Sequence, residues 1–203
     1  MAEVRTCEEY NGTSWTNTGV GSLNTAGGEE VHLAGTSAAA VAAGGYISSY
    51  QTQIEHYNGS AWSDTGADLG AGMAYGGAAG TQTDAIFFGG YGGSLDNNTY
   101  GWNGSTTTLS TLNNMSNANN EFQSAGTRND VILTGGGRIS NNDGQFWNGT
   151  SWSASSTNGL SAMDLYSPSS HTDCGGSFAA VFFGGGTGSG TGTATNRIGH
   201  HDR

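Results

Sequence analysis

The residues of this sequence that could do redox chemistry are two cysteines, Cys7 and Cys174. Two cysteines in 203 residues do not make a disulfide framework. When the internal repeats described below are aligned, Cys174 takes the place of Ala34 and Cys7 takes the place of Ile54. We therefore expect both to be small buried core residues. A disulfide between them is the alternative, since closure of the fold would bring the first and last repeats together.

Metal binding would need histidines or acidic clusters at ligand spacing. The histidines show no such spacing; they are His32, His56, His171, His200 and His201. We expect the His200–His201 pair to be a solvated end. Two clusters, Asp96-Asn97-Asn98 and Asn142-Asp143-Gly144, are interpreted as turn residues. Calcium binding is the alternative for them, but they lack the acidic ligand count of a known calcium loop. We predict no metal site.

No arrangement of residues suited to catalysis is visible. The glycine-rich segment 184–193 follows an apolar run, but no helical pattern follows it, and a phosphate cradle needs a helix N-terminus. The Asn-Gly steps at Asn11, Asn58, Asn103 and Asn148 are each followed by Ser or Thr and formally match a glycosylation sequon, although turn chemistry already explains Asn-Gly. We predict a protein that is not an enzyme and holds no cofactor.

The strongly negative net charge of the chain excludes some classes of binding partner. The five basic residues are all arginine, and against 16 acids they leave a formal net charge of -11. A nucleic-acid-binding protein needs a basic footprint, so this class is excluded, and anionic membranes are disfavoured. The first residues lack the apolar stretch of a signal peptide, and no run of about 18 apolar residues predicts a membrane span.

Three landmarks recur four times in the same order, at spacings of 45 to 49 residues. The first is an aromatic residue followed by Asn-Gly, with the asparagines at Asn11, Asn58, Asn103 and Asn148. The second is an apolar run that ends in a glycine pair beginning at Gly44, Gly89, Gly135 and Gly184. The third is a glycine nine residues before each pair, at Gly35, Gly80, Gly126 and Gly175.

Each landmark has a structural meaning. Asn-Gly between extended segments predicts a hairpin with a type I′ turn. Tryptophans four residues after the asparagine, Trp15, Trp62 and Trp152, are placed to pack on a neighbouring sheet; Thr107 stands there in the third repeat. The nearly continuous apolar run predicts a strand buried on both faces, and the glycine pair marks its end, where backbones crowd.

Each repeat is therefore predicted to be one sheet of about four strands, which cannot bury both of its faces alone. Repeats of this length and strand number build β-propellers. We predict an all-β fold: a single small β-propeller of about four blades, each of four antiparallel strands, over residues 1–203. The repeats are 3–51, 52–97, 98–143 and 144–194, with a closing strand at 195–203.

The landmarks resemble the kelch repeat. IFFGGY (86–91) followed by Trp102, and VILTGGG (131–137) followed by Trp147 and Trp152, carry this resemblance. EEYNGTSW (8–15) and AGTQTDAIFFGGY (79–91) also resemble Gly/Asn/Thr-rich kelch-like repeats of aquatic bacteriophage tail and appendage proteins. The resemblance covers nearly the whole chain and implies a kelch-like propeller with a structural or binding role.

Segments 3–10 and 194–201 occupy the same position in the repeat, so one strand is surplus in a ring of four blades. The surplus strand is either a fifth strand or loose end, or it pairs with a neighbouring subunit by strand addition. Both alternatives stay open, as does the oligomeric state.

The fourth repeat carries the largest insertion. From Asn148 to Gly175 the spacing is 27 residues, against 22 to 24 elsewhere, and this interval contains Pro168 and His171. We predict a contact loop there.

The resulting hypothesis is a bacteriophage virion component (tail, fibre or surface appendage) that self-associates and presents loops to a host or to a cell-surface glycan. The alternative is a stand-alone glycan- or protein-binding module. An enzyme of galactose-oxidase type is a third hypothesis, but no copper-ligand grouping is visible.

Overall fold

The computed structural model describes residues 5–17, 19–24, 28–105, 109–136, 144–154, 171–172, 179–183 and 198–202. All regular structure in these ranges is β-strand, as predicted. Within them there is no helix with the length and apolar character needed to cross a membrane.

The strands, in chain order, are β1 (Glu9–Tyr10), β2 (Trp15–Thr16), β3 (His32–Thr36), β4 (Ala39–Ala43), β5 (Tyr46–Ile47), β6 (Ser49–Tyr50), β7 (Gln53–Tyr57), β8 (Trp62–Asp68), β9 (Gly77–Thr81), β10 (Asp84–Tyr91), β11 (Leu95–Trp102), β12 (Ser110–Thr111), β13 (Gln123–Thr127), β14 (Asp130–Thr134), β15 (Gln145–Trp147), β16 (Trp152–Ala154), β17 (His171–Thr172), β18 (Ala179–Phe183) and β19 (Ile198–Asp202).

Three sheets repeat one strand order. Sheet 1 is β3-β4-β7-β8, sheet 2 is β9-β10-β11-β12, and sheet 3 is β13-β14-β15-β16, with β17 added in parallel to β13. The pairs β1–β2, β5–β6 and β18–β19 form two-stranded antiparallel sheets. Sheet 1 crosses the predicted repeat boundary at residue 51, so each sheet joins the second half of one predicted repeat to the first half of the next.

The apolar runs form the second strand of each sheet and are buried, as predicted. Val41, Phe87 and Leu133 have no exposed surface, and β4, whose alanines favour a helix by propensity, is a strand. The two faces of β10 contribute to different clusters: Phe87 packs in one core and Phe88 in the next. Each of these strands therefore needs a packing partner on both sides of its own sheet.

The Asn-Gly turns form the predicted hairpins, but the turn type was wrong. Tyr57 pairs with Trp62, so the loop between them has four residues instead of two. Asn58 Oδ1 accepts hydrogen bonds from the backbone N–H groups of Ser60 and Ala61, at 3.0 and 2.9 Å. The asparagine thus caps the loop with its side chain, and the left-handed conformation falls on Gly59 alone, at φ 91°.

Neighbouring sheets are joined through the backbone near the glycine pairs. Gly45 N–H donates to Met73 O at 2.9 Å, and Gly90 N–H donates to Asn119 O at 2.8 Å. At Gly136, where φ is 129°, a Cβ atom would collide with the side-chain amide of Asn119, so the position favours glycine. The pair does not always end its strand, because β10 continues past Gly90 through a bulge. The first strands β3, β9 and β13 lie side by side.

Tryptophan four residues after the asparagine packs on the preceding sheet in one clear case. Trp152 of sheet 3 lies against Phe88 of sheet 2, with ring centroids 5.0 Å apart. Its Nε1–H donates to Thr99 Oγ1 at 2.9 Å. This confirms the predicted role of Trp152. Thr107, which stands at this place in the third repeat, is outside the described residues.

Replacing Trp152 by alanine should therefore lower the free energy of unfolding by about 3–5 kcal/mol, because a buried ring and its hydrogen bond are lost. Trp15 occupies the same repeat position but is 68 % exposed, against 8 % for Trp152. Trp15→Ala is the matched control, with an expected change below about 1 kcal/mol. Urea unfolding followed by circular dichroism measures both, and equal losses would contradict this packing scheme.

Candidate functional site

The predicted contact loop is only partly visible. Pro168 and Gly184 lie outside the described residues, as does Cys174. His171 belongs to β17, whose backbone pairs in parallel with β13, so it is in a strand and not in the predicted loop. A parallel partner beside β13 can form because β13 is an edge strand of sheet 3.

The sequence interpretation of Asp96-Asn97-Asn98 as turn residues was also wrong. All three lie in β11, which begins at Leu95. Asp96 Oδ1 accepts the Asn98 N–H at 2.8 Å, and Asn97 Nδ2 donates to Met115 O at 3.3 Å. These polar groups have hydrogen-bond partners within β11 and at Met115, beyond β12, so turn-forming residue types are accommodated in a strand. Of the other cluster, Gly144 alone is among the described residues.

The histidines and the buried glutamate of sheet 1 make structural contacts within and between the sheets. His32 is fully buried, and its Nε2 accepts the Gly76 N–H at 2.9 Å. His56 packs against the Trp102 ring at a centroid distance of 5.3 Å, and burial lowers its pKa. Glu55 Oε2 accepts two hydrogen bonds from Asn24, at 2.8 and 3.0 Å. For His200 and His201 the structure places the backbone in β19.

In the described part of the chain, a cavity of about 510 Å³ lies beside the β1–β2 hairpin. This volume falls within the range of ligand pockets. The hairpin side of the cavity is formed by Cys7, Glu8, Glu9, Tyr10 and Trp15. The opposite wall comes from the first strands of the three sheets and includes Ala34, Gly35, Ala79, Gly80, Ala125 and Gly126. Most of this wall is made of small residues.

The large hydrophobic side chains that are exposed in the described part of the chain all line this cavity. They are Trp15, Tyr10 and Leu33, at 68 %, 51 % and 38 % exposure. Tyr10 and Trp15 face each other across the hairpin with ring centroids 5.4 Å apart. Clustered exposed aromatic residues mark contact surfaces, so this patch is the candidate functional site.

Tyr57 also lines the cavity, and its hydroxyl has no hydrogen-bond partner among the described residues. In sheets 2 and 3 this place holds Trp102 and Trp147, whose Nε1–H groups donate to the carbonyls of Gln82 and Arg128. The phenol of Tyr57 has no such bond. Burial, and next the nearby Glu9 carboxylate, raise the pKa of Tyr57, so it remains a hydrogen-bond donor.

Trp62 Nε1 likewise has no partner in the described residues. Trp62 corresponds to Trp152, whose partner Thr99 lies three residues before Trp102. The residue three before Tyr10 is Cys7, and both Cys7 and Trp62 pack on the Leu23–Ala42 cluster. A thiol is a weak acceptor, so cysteine at this place leaves the indole N–H unsatisfied. Cys7 is a free thiol and is half-buried, whereas a buried residue was predicted.

A second polar feature links the sheets near the start of their first strands. Glu30, Tyr75 and Glu121 each stand five residues before a repeated glycine and have φ between 54° and 63°. Tyr75 N–H donates to Glu30 O at 3.3 Å, and Glu121 N–H donates to Tyr75 O at 2.8 Å. Burial raises the pKa of Glu30, and the charges of Glu121 and Glu29 raise it further. Sequence reasoning missed this feature, although the spacing repeats.

Among the described residues, no group of three or more His, Cys, Asp or Glu side chains is arranged to hold a metal ion. The chain matches no protein-family model and no curated protein. The kelch-like resemblance therefore rests on the residues themselves, and the cavity must be interpreted from its own chemistry.

Changing Cys7 to threonine should supply the acceptor that Trp62 Nε1–H lacks. We expect Cys7→Thr to be about 1 kcal/mol more stable than Cys7→Val, since a net hydrogen bond contributes about that much. Valine is the matched control because it has the same shape without the hydroxyl. Thermal unfolding compares the two variants, and equal stability would show that residue 7 does not face the indole N–H.

Removing the charge of Glu121 should stabilise the fold at neutral pH. A glutamate whose pKa is raised on folding, as that of Glu30 is, disfavours the folded state once pH rises above its usual value of 4.5. Glu121→Gln should therefore raise the melting temperature by about 1–2 °C at pH 7. At about pH 3 the gain should vanish, because the Glu30 carboxyl, whose pKa is raised, is then protonated and no longer repelled. Glu8→Gln, an equal charge change at an exposed site, is the control; a gain that persists at low pH would refute the repulsion.

Proposed function

We propose that this chain is a non-enzymatic, kelch-like propeller that serves as a structural and binding component of a bacteriophage virion. In this proposal it forms part of a tail, a fibre or a surface appendage, self-associates, and presents loops to a host or a glycan. The observation that carries the proposal is the aromatic patch at the β1–β2 hairpin, where residues that belong to a core by their repeat position are exposed.

The repeated sheets support the propeller part of the proposal. Three sheets share one strand order, their first strands lie side by side, and backbone hydrogen bonds join each sheet to the next. A propeller has this arrangement, with first strands around an axis and sheets stacked face to face. The amino-acid sequence of the repeats, which resembles that of bacteriophage appendage proteins, supports the bacteriophage part of the proposal.

The use of ionisable groups supports a structural role. Glu55 and His32 accept hydrogen bonds from N–H groups in the interior of the sheets. Glu30 lies in the contact between successive sheets. None of these groups lines the cavity beside the hairpin. Apart from Cys7, Glu8 and Glu9 on its hairpin side, the cavity presents aromatic faces and small residues, which suit contact better than proton transfer. With a net charge of -11, the proposed partners are proteins or glycans, not nucleic acid or inserted membrane.

Gold-labelled antibodies raised against the purified chain test the virion role by electron microscopy of particles from the source culture. We expect labels at a repeated position on the particle, in several copies, because a structural component is built in by symmetry. Label confined to soluble material, with unlabelled particles, would refute a virion role.

The cavity also favours the alternative function, a stand-alone glycan-binding module, because exposed Tyr10 and Trp15 offer stacking faces. A glycan array with the purified chain tests this. If a sugar stacks on the patch, Trp15→Ala should weaken binding about tenfold, a change that corresponds to the free energy of one aromatic contact. Thr13→Ala, on the same exposed loop but away from the cavity, should leave binding unchanged. Equal binding by both variants would exclude a glycan site here.

A further inference from the structure

We propose that copies of this chain join by strand exchange, in which β1 of one copy pairs with the edge of β18 in a second copy and displaces that copy's β19. The proposal rests on the self-association included in the proposed function and names its interface. It connects two incomplete parts of the molecule, the β1–β2 hairpin and the β18–β19 pair.

The repeat fixes which strand β1 should pair with. In sheet 1, β7 has its Asn-Gly hairpin partner β8 on one edge and the apolar strand β4 on the other. β1 occupies the place of β7, since Tyr10 precedes Asn-Gly as Tyr57 does. Yet among the described residues β1 pairs with β2 alone. The missing neighbour is an apolar strand of the β4 type, and in the fourth repeat that strand is β18.

The register of this pairing follows from sheet 1. There Ile54 lies opposite Ala43. Cys7 stands at the place of Ile54, and Phe183, two residues before the second glycine of its pair, stands at the place of Ala43. β1 should therefore bring Cys7 opposite Phe183.

Within one chain this edge of β18 is occupied. Ile198 lies opposite Phe183, and His201 lies opposite Ala180. β19 thus holds the register that the repeat assigns to β1, so two strands compete for a single edge. β1 brings a second strand, β2, into the pairing because the Asn-capped loop joins them. Among the described residues, β19 has no further strand beside it.

The exposed aromatic residues show that the hairpin is incomplete. Tyr10 is 51 % exposed where its counterpart Tyr57 is 5 % exposed, and Trp15 is 68 % exposed where Trp152 is 8 % exposed. Completing the sheet would remove these rings from water, as in the other sheets, which favours pairing. An open strand edge beside an apolar patch is a site for strand addition.

The cavity has the character of a vacant strand position. It lies between β1 and the first strands of the sheets, and its far wall includes Ala34, Gly35, Ala79 and Gly80. Small side chains leave room for another backbone with its side chains. Carbonyls of an entering strand can accept the hydrogen bond that Tyr57 Oη–H lacks. A sugar would need more fixed polar groups than this wall supplies, so a strand is the better occupant.

The geometry of such a contact is head to tail. The hairpin of one copy meets the β18 edge of the next, and these are different surfaces of the molecule. Heterologous contacts of this kind close into rings or extend as filaments. Both outcomes suit an appendage built from many copies.

Disulfide trapping tests the pairing. In a Cys174→Ser background, Phe183→Cys leaves one new thiol and the native Cys7. Directly opposed residues on antiparallel strands have Cα atoms about 4.5–5.5 Å apart, within the reach of a disulfide. Under mild oxidation at high protein concentration we expect covalent dimers and a ladder of larger species on a non-reducing gel. Mass spectrometry should identify the link as one between Cys7 and the new thiol at position 183.

Three further variants serve as controls. The triple variant Cys7→Ser, Phe183→Cys and Ile198→Cys in the same background traps β19 in place and should abolish assembly measured by analytical ultracentrifugation. Trp15→Ala should weaken assembly at least tenfold, and Thr13→Ala should not change it. Circular dichroism of each variant separates failure of the trap from failure to fold.

The outcomes are distinct. A link between Cys7 and the new thiol within single chains would show that each chain completes its own sheet and would overturn the exchange. Assembly without the link, or assembly unaffected by trapping β19, would overturn the strand pairing but leave self-association standing. A monomer at all concentrations would overturn both. Glycan binding lost in Trp15→Ala without any cross-link would assign the cavity to a sugar.

Discussion

A strand that is apolar on both faces must have packing partners on both sides of its sheet, and this requirement organises the molecule. β10 meets it most clearly, since Phe87 belongs to the core shared with sheet 1 and Phe88 to the core shared with sheet 3. A single sheet of four strands cannot satisfy such a strand, so the sheets stack. The same requirement turns the β1–β2 hairpin, which has no apolar strand beside it in the described residues, into an exposed aromatic surface.

The backbone contacts between sheets explain why glycine and left-handed residues recur. Gly136 approaches Asn119 so closely that a side chain would collide with the amide, and the N–H of Gly90 bonds to Asn119 O. Glu30, Tyr75 and Glu121 hold positive φ without being glycine, which costs about 1–2 kcal/mol each. The hydrogen bonds that link these three residues offset part of that cost. The stacking is thus built from main-chain groups as well as from apolar side chains.

The repeated, local features were predictable from the sequence, and the features that depend on neighbouring sheets were not. Asn58-Gly59 marks a hairpin because turn chemistry is local, although the side-chain cap that lengthens the loop was missed. Asp96 was assigned to a turn because its residue type favours one, but pairing of β11 with β10 prevailed. The site was missed because Trp15 and Trp152 look identical in sequence; whether each ring is buried depends on the sheet beside it.

Charge limits what can fill the space beside the hairpin. With no lysine and a net charge of -11, two copies repel each other at distances up to about the 8–10 Å screening length. Natural edge strands are often protected by lysine, but here Glu8 and Glu9 are the charges beside the open edge. They disfavour an acidic partner and tolerate a neutral one. The apolar segment AAVFF of β18 is uncharged, so main-chain pairing and ring burial can act there without opposing charge. Because Glu8 and Glu9 repel acidic surfaces, the uncharged strand β18 of another copy is a better partner for the hairpin than the acidic surface of that copy.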